Sequence, residues 1–166
     1  MTAVLTGDKV TVEDEALASK LRQKGFGRPG KGKLELSLLE AAYLVERGSI
    51  RVMEEGRECT PEELLRRMED EESLLKYKVY QDLRQRGYIV KTGFKFGAHF
   101  RVYDRGEGMK KHSRYLVHAV RERDTMAFPE LARAVRLAHS VKKAMVFAVM
   151  DEEGDITYYK IERMTP

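Results

Sequence analysis

The chain has one cysteine, no tryptophan, only four prolines and no long apolar run. Each shortage excludes something. Cys59 alone rules out an internal disulfide and a cysteine-built zinc site, so stability has to come from packing, charge pairs or assembly. No window approaches the roughly 20 apolar residues of a membrane span. "MTAVLTGDKV" lacks the basic-then-apolar layout of a secretory signal, which makes a cytoplasmic location the expectation.

What is present is charge. Charged residues make up 35% of the 166 positions and apolar ones 42%, enough to bury a core in one domain or two small ones. The net charge of +4 is unevenly spread. Residues 1–70 hold 12 lysines and arginines against 14 acidic residues, whereas residues 76–143 hold 17 against 6. The second half is where a polyanion would land.

Punctuation divides the chain in the same place. "AVLTGDKVTV" alternates around a turn, which predicts a hairpin. "EALASKLRQKGF" reads as a short helix closed by Gly25, and "KLELSLLEAAYLVERGSI" as a strand passing into a helix ended by Gly48. "IRVMEEGREC" predicts a strand pair, and Thr60-Pro61-Glu62-Glu63 opens another helix. Apolar spacing falters over residues 68–73, which places a boundary between a small α+β domain (1–70) and a second domain (71–166). The second begins with a helix over about 73–86. Strands follow in "YIVKTGFKFGAHFRVY" and "RYLVHAV", then the helix "PELARAVRLAHSVKK", the buried strand "AMVFAVM", the acidic turn "DEEGD" and a last strand "ITYYKIERM". That order describes an α/β sandwich.

Candidate chemistry gathers in the second domain. If residues 94–103 are one strand, Phe94, Phe96, Ala98, Phe100 and Val102 share one face. Lys95, His99, Arg101 and Tyr103 then share the other, so Tyr103 is expected on a polar side. Arg133, Arg136, Ser140 and Lys143 are spaced as one helical stripe that ends where the apolar strand begins, which places Lys143 at a fixed sheet edge, suited to a phosphate. His118 and His139 read as structural, and His99 as either an anion contact or a supporting residue. His112 stands in a polar segment among Arg105, Lys110, Lys111 and Arg114, a setting for a general acid armed by a bound phosphate.

Metal motifs do not compete. The histidines show no i,i+4 pair, "DEEGD" is too short for a calcium loop, and no acidic residue stands two places before a lysine. "GFGRPGKGK" lacks the spacing of a phosphate-binding GxxxxGK[ST] loop. Tyrosine, histidine and lysine without metal or other cofactor suit attack of an RNA 2′-hydroxyl on its own adjacent phosphate. That reaction needs a base, an acid and a cation. A free phenol, with a pKa of about 10, is a poor base at neutral pH, so the tyrosine either meets strong cationic help or mainly orients the hydroxyl.

"FRVYDRG", "HSRYLV" and "RLAHSVKKAMVFAVMDEEGDITYY" closely resemble the motifs of archaeal tRNA-splicing endonucleases, in order and across the whole second half. The first half is similar to that family's N-terminal domain in length and element order. The resemblance implies a restriction-endonuclease-like catalytic domain with a mixed sheet. It implies Tyr103 as general base, His112 as general acid and Lys143, rather than Lys142, as stabiliser of transition-state charge. It also implies precursor tRNA as substrate, cut at both intron boundaries of a bulge-helix-bulge RNA. Two cut sites per substrate and one triad per chain call for symmetric assembly. The resemblance implies a homotetramer joined through the acidic loop 151–155 and the C-terminal strand. RNA should be held by shape and phosphates, with Arg101, Arg105, Arg133 and Arg136 as candidate contacts. Two rivals stay open: a noncatalytic RNA-binding or scaffold subunit, and a metal-dependent DNA nuclease.

Overall fold

The computed structural model describes residues 1–106 and 112–166, so the expectations placed on Lys110 and Lys111 lie outside the described residues. The chain forms two compact units, Met1–Tyr77 and Lys78–Pro166.

In the first unit, β1 (Thr2–Thr6) and β2 (Lys9–Val12) form the expected hairpin. With β3 (Leu34–Leu36), β4 (Arg51–Glu54) and β5 (Arg57–Glu58) they make a five-stranded sheet in the order β3-β2-β1-β4-β5, in which β4 runs parallel to β1. The helices α1 (Glu15–Gln23), α2 (Leu38–Glu46) and α3 (Pro61–Arg66) start where side-chain oxygens are available to cap them. Asp14, Ser37 and Thr60 accept from the N–H groups of Leu17, Glu40 and Glu63. Glu40 also closes a reciprocal capping box with Ser37, and its other oxygen accepts from Gly27 N at 2.8 Å, tying the glycine-rich basic loop to the start of α2.

The second unit is a mixed sheet between two helices. α4 (Ser73–Gln85) crosses the division between the units. It is followed by β6 (Ile89–Thr92), β7 (Phe100–Tyr103), β8 (Tyr115–Arg121), α5 (Phe128–Ser140), β9 (Ala144–Met150) and β10 (Ile156–Ile161). Their order is β10-β9-β8-β7-β6; β8 and β9 are parallel and the other pairs antiparallel. Val135 and Ala138 of α5 pack with Leu116, Met145 and Phe147 on one face. Register puts Phe100, Val102, Val117, Val146 and Ala148 on the other, all buried, with Tyr80 of α4 at 6.1 Å from Phe100.

Three local expectations need correction. Residues 94–103 are not one strand: Phe94–Phe96 is a 3-10 turn between Gly93 and Gly97, and only residues 100–103 are extended. Gly93 has no room for a Cβ, which would sit 2.7 Å from the carbonyl carbon of Phe100, and Gly97 takes a left-handed φ of 70°. The phenylalanine alternation therefore mimics a strand across a tight turn. The helix at "PELARAVRLAHSVKK" stops at Ser140, where Lys142 N–H donates to His139 O at 3.0 Å and Lys143 N–H to Ala138 O at 2.8 Å, the bond pair of a Schellman ending. The stripe thus ends at Ser140, and Lys143 belongs to the turn into β9. The last strand ends at Ile161.

Candidate active site

Topology brings distant residues to one end of the second sheet. β7 runs antiparallel to β8 with Val102 opposite Tyr115, and Arg114 N–H donates to Val102 O at 2.8 Å, so Tyr103 lies beside the start of β8. β9 runs parallel to β8 with Ala144 opposite Tyr115, and Ala144 N–H donates to Arg114 O at 3.0 Å. Residues 103, 113 and 143 therefore meet at adjacent strand ends. Because Arg101 pairs with Leu116 and Leu116 with Met145, strand parity also puts Arg101 and Tyr103 on the sheet face that α5 covers.

Side chains join these positions. Arg101 Nη1 donates to Tyr103 Oη at 2.7 Å while its Nε donates to Thr92 O at 3.0 Å. Tyr103 shares the side of Arg101, as expected, yet it is 6% exposed rather than solvated. Lys143 Nζ donates to Ser113 O at 3.0 Å and stands 5.4 Å from the centre of the Phe96 ring. Burial, then the charge of Arg101, pushes the Lys143 ammonium below the ordinary lysine range. Lys142, in contrast, is exposed with a left-handed φ of 60°.

The remaining candidates are distributed around this group. His112 is exposed and directly precedes Ser113, the residue whose carbonyl holds Lys143. Arg105 lies over the Tyr88 ring at 5.2 Å. Arg133 and Arg136 face solvent from α5. Of the other histidines only His139 departs from expectation. His118 is half-buried between the His99 ring (5.4 Å) and the Phe147 ring (5.6 Å), and burial lowers its pKa. The Nδ1 of His99 accepts from Ala119 N–H at 2.9 Å, a supporting role, whereas His139 is exposed. Sequence reasoning missed the ring of Phe96, read as strand core, and the Thr92 and Ser113 carbonyls. Only the flanking Gly93 and Gly97 signalled that Phe96 sits in a turn.

A buried phenol bonded to a guanidinium and a partly buried ammonium thus stand at one end of the mixed sheet of an α/β unit. Comparison with known proteins narrows that class. Residues 73–158 match the tRNA intron endonuclease catalytic C-terminal domain and residues 1–65 the tRNA intron endonuclease N-terminal domain. The chain belongs to the tRNA intron endonuclease family. It is 49% identical over 161 residues to the tRNA-splicing endonuclease of Thermococcus onnurineus, covering 95% of this chain and 93% of that one. To the tRNA-splicing endonuclease of Methanothermobacter thermautotrophicus it is 44% identical over 163 residues, covering 96% of each. Among the described residues, no helix is long and apolar enough to cross a membrane.

Proposed function

We propose that this chain cuts precursor tRNA at both intron boundaries of a bulge-helix-bulge RNA, in the cytoplasm, without metal or cofactor in the chemical step. The 2′-oxygen attacks the adjacent phosphorus and the bond to the 5′-oxygen breaks, leaving a 2′,3′-cyclic phosphate and a 5′-hydroxyl. Tyr103 takes or orients the 2′-hydroxyl proton, His112 gives a proton to the departing 5′-oxygen, and Lys143 faces the charge that builds on the phosphorane. Negative charge arising on the Tyr103 oxygen meets a guanidinium already 2.7 Å away. One observation carries the reading: Lys143 is bonded to the carbonyl of Ser113, next to His112, across parallel strands whose neighbour ends in Tyr103.

The rest of the proposal concerns binding and assembly. The catalytic domain, taken as residues 71–166 after an N-terminal domain of 1–70, is restriction-endonuclease-like. Arg105, Arg133 and Arg136 contact RNA phosphates, and Arg101 serves both the RNA and Tyr103. Assembly is a homotetramer, supported by β10 lying at the sheet edge and by Glu152, Glu153 and Asp155 standing exposed on the hairpin turn.

Incubating the purified chain with a bulge-helix-bulge RNA in EDTA tests the function. Cyclic-phosphate ends at both bulges are expected, and their absence would favour a noncatalytic scaffold. Loss of cleavage only when divalent metal is removed would favour a metal-dependent nuclease. Persisting cleavage in Tyr103→Phe, His112→Ala and Lys143→Ala alike would remove the site.

A further inference from the structure

We infer that Phe96 is a positioning residue for Lys143, whose ring face keeps that ammonium charged and in place; the inference rests on the reading of Lys143 given above. A lysine side chain carries four rotatable methylene links, and a cation that has to meet a developing charge gains from being held before the reaction starts. Two holds are visible. The Ser113 carbonyl takes one N–H at 3.0 Å, and the Phe96 ring lies 5.4 Å from Nζ, within the range at which an aromatic face attracts a cation. The surroundings otherwise work against the charge. Burial disfavours the ammonium and Arg101 repels it, so the ring joins the Ser113 carbonyl in offsetting them, neither taking the proton nor competing for phosphate.

The ring is held by a built turn. Phe96 N–H donates to Gly93 O at 2.8 Å and Ala98 N–H to the same oxygen at 3.1 Å, while Gly93 N–H donates to His99 O at 3.1 Å. His99 then fastens the turn to β8, donating its N–H to Val117 O at 3.1 Å and accepting Ala119 N–H on Nδ1 at 2.9 Å. Phe96 also packs against the cluster that includes Leu116, Val135 and Met145. Leucine would serve that packing almost as well. Only an aromatic ring would serve the ammonium.

The test compares Phe96→Leu, which keeps apolar bulk, with Phe96→Tyr, which keeps the ring, and reads Lys143 in two ways. First, reaction of the Lys143 amine with an acylating reagent, followed by mass spectrometry in RNA-free protein, reports its neutral fraction. Second, single-turnover cleavage of a bulge-helix-bulge RNA reports its function across pH. Phe96→Leu is expected to acylate faster at Lys143 at a fixed pH and to lose about threefold to thirtyfold in cleavage rate at saturating RNA, with little change in half-saturating RNA. Its alkaline limb moves to lower pH, because the charged amine is the working form and the variant loses its proton sooner. Phe96→Tyr is expected to restore both readouts. Unchanged acylation and an unmoved limb in Phe96→Leu would overturn the inference, and so would equal damage by both variants. Should Phe96→Leu melt below the assay temperature, Phe96→Met takes its place with the same expectations. If wild-type protein cleaves no RNA while acylation still responds to Phe96, the functional reading fails and the positioning contact stands.

Discussion

Arg101 holds the Tyr103 phenol oxygen at 2.7 Å and reaches back with its Nε to the carbonyl of Thr92, so the proposed base is fixed from one neighbour two residues away. Burial lowers the Lys143 pKa, and that single guanidinium adds to the effect through space. Removing it therefore has two consequences of different kind. Arg101→Gln is expected to slow single-turnover cleavage about tenfold to a hundredfold, the range for one charge-assisted hydrogen bond. At the same time the alkaline limb should move to higher pH, since a repelling charge has gone and Lys143 keeps its proton longer. A slowed enzyme with a limb that moves down would contradict this arrangement.

Lys142 and Lys143 are adjacent but occupy different conformations. Lys142 takes the left-handed position of the Schellman ending, where a side chain costs energy that glycine avoids. Lys142→Gly is expected to raise unfolding free energy by about 0.5–1 kcal/mol in urea titration. Its cleavage rate should stay within about twofold of wild type, whereas Lys143→Ala should lose at least a hundredfold. Equal losses at the two positions would mean that the choice between them was mistaken.

Much of this was readable in the residues themselves, and the failures have physical causes. Helix starts at Asp14, Ser37 and Thr60 and stops near Gly25, Gly48 and Gly87 are local events, governed by caps and by φ. The buried strand at residues 144–150 announced itself by composition. Period-two spacing of Phe94, Phe96, Ala98 and Phe100 misled because alternation in sequence does not by itself make a chain extended: Gly93 and Gly97 fold Phe94–Phe96 into a 3-10 turn, whose side chains repeat every third residue rather than every second. Arg101 and Tyr103 still share a side, being two apart within the true strand. That Ser113 accepts from Lys143 is a contact set by strand register, which no spacing within one segment encodes.

His118 gives the second unit a built-in acid sensitivity. Burial lowers its pKa, so the folded state prefers the neutral ring and the unfolded chain binds the extra proton first. The sign follows: its contribution to stability is complete above the unfolded value of about 6.5 and declines as pH falls toward the lower folded value. Thermal unfolding measured between pH 7.5 and pH 5 should therefore show a steeper fall for wild type than for His118→Phe, which keeps a ring against Phe147. Parallel curves would assign the acid response to other groups.

The turn between β9 and β10 holds its carboxylates in two different settings. Asp151 Oδ1 accepts from the N–H groups of Glu153 and Asp155 at 2.9 Å each, so Asp151 builds the turn and is half-buried in doing so. Glu152, Glu153 and Asp155 are exposed on the same turn. If these three carry the charge that joins one copy to the next, replacing them with lysine should leave the hairpin's backbone bonds intact and break the assembly. Sedimentation velocity is expected to show the triple variant as a smaller assembly of 19.2 kDa chains than wild type, held only by the contact through the β10 edge. Asp151→Ala should behave differently, freeing both N–H groups and costing about 1–3 kcal/mol before any effect on assembly. A triple variant that sediments like wild type would remove the acidic turn from the interface and leave the open edge of β10 as the remaining candidate contact.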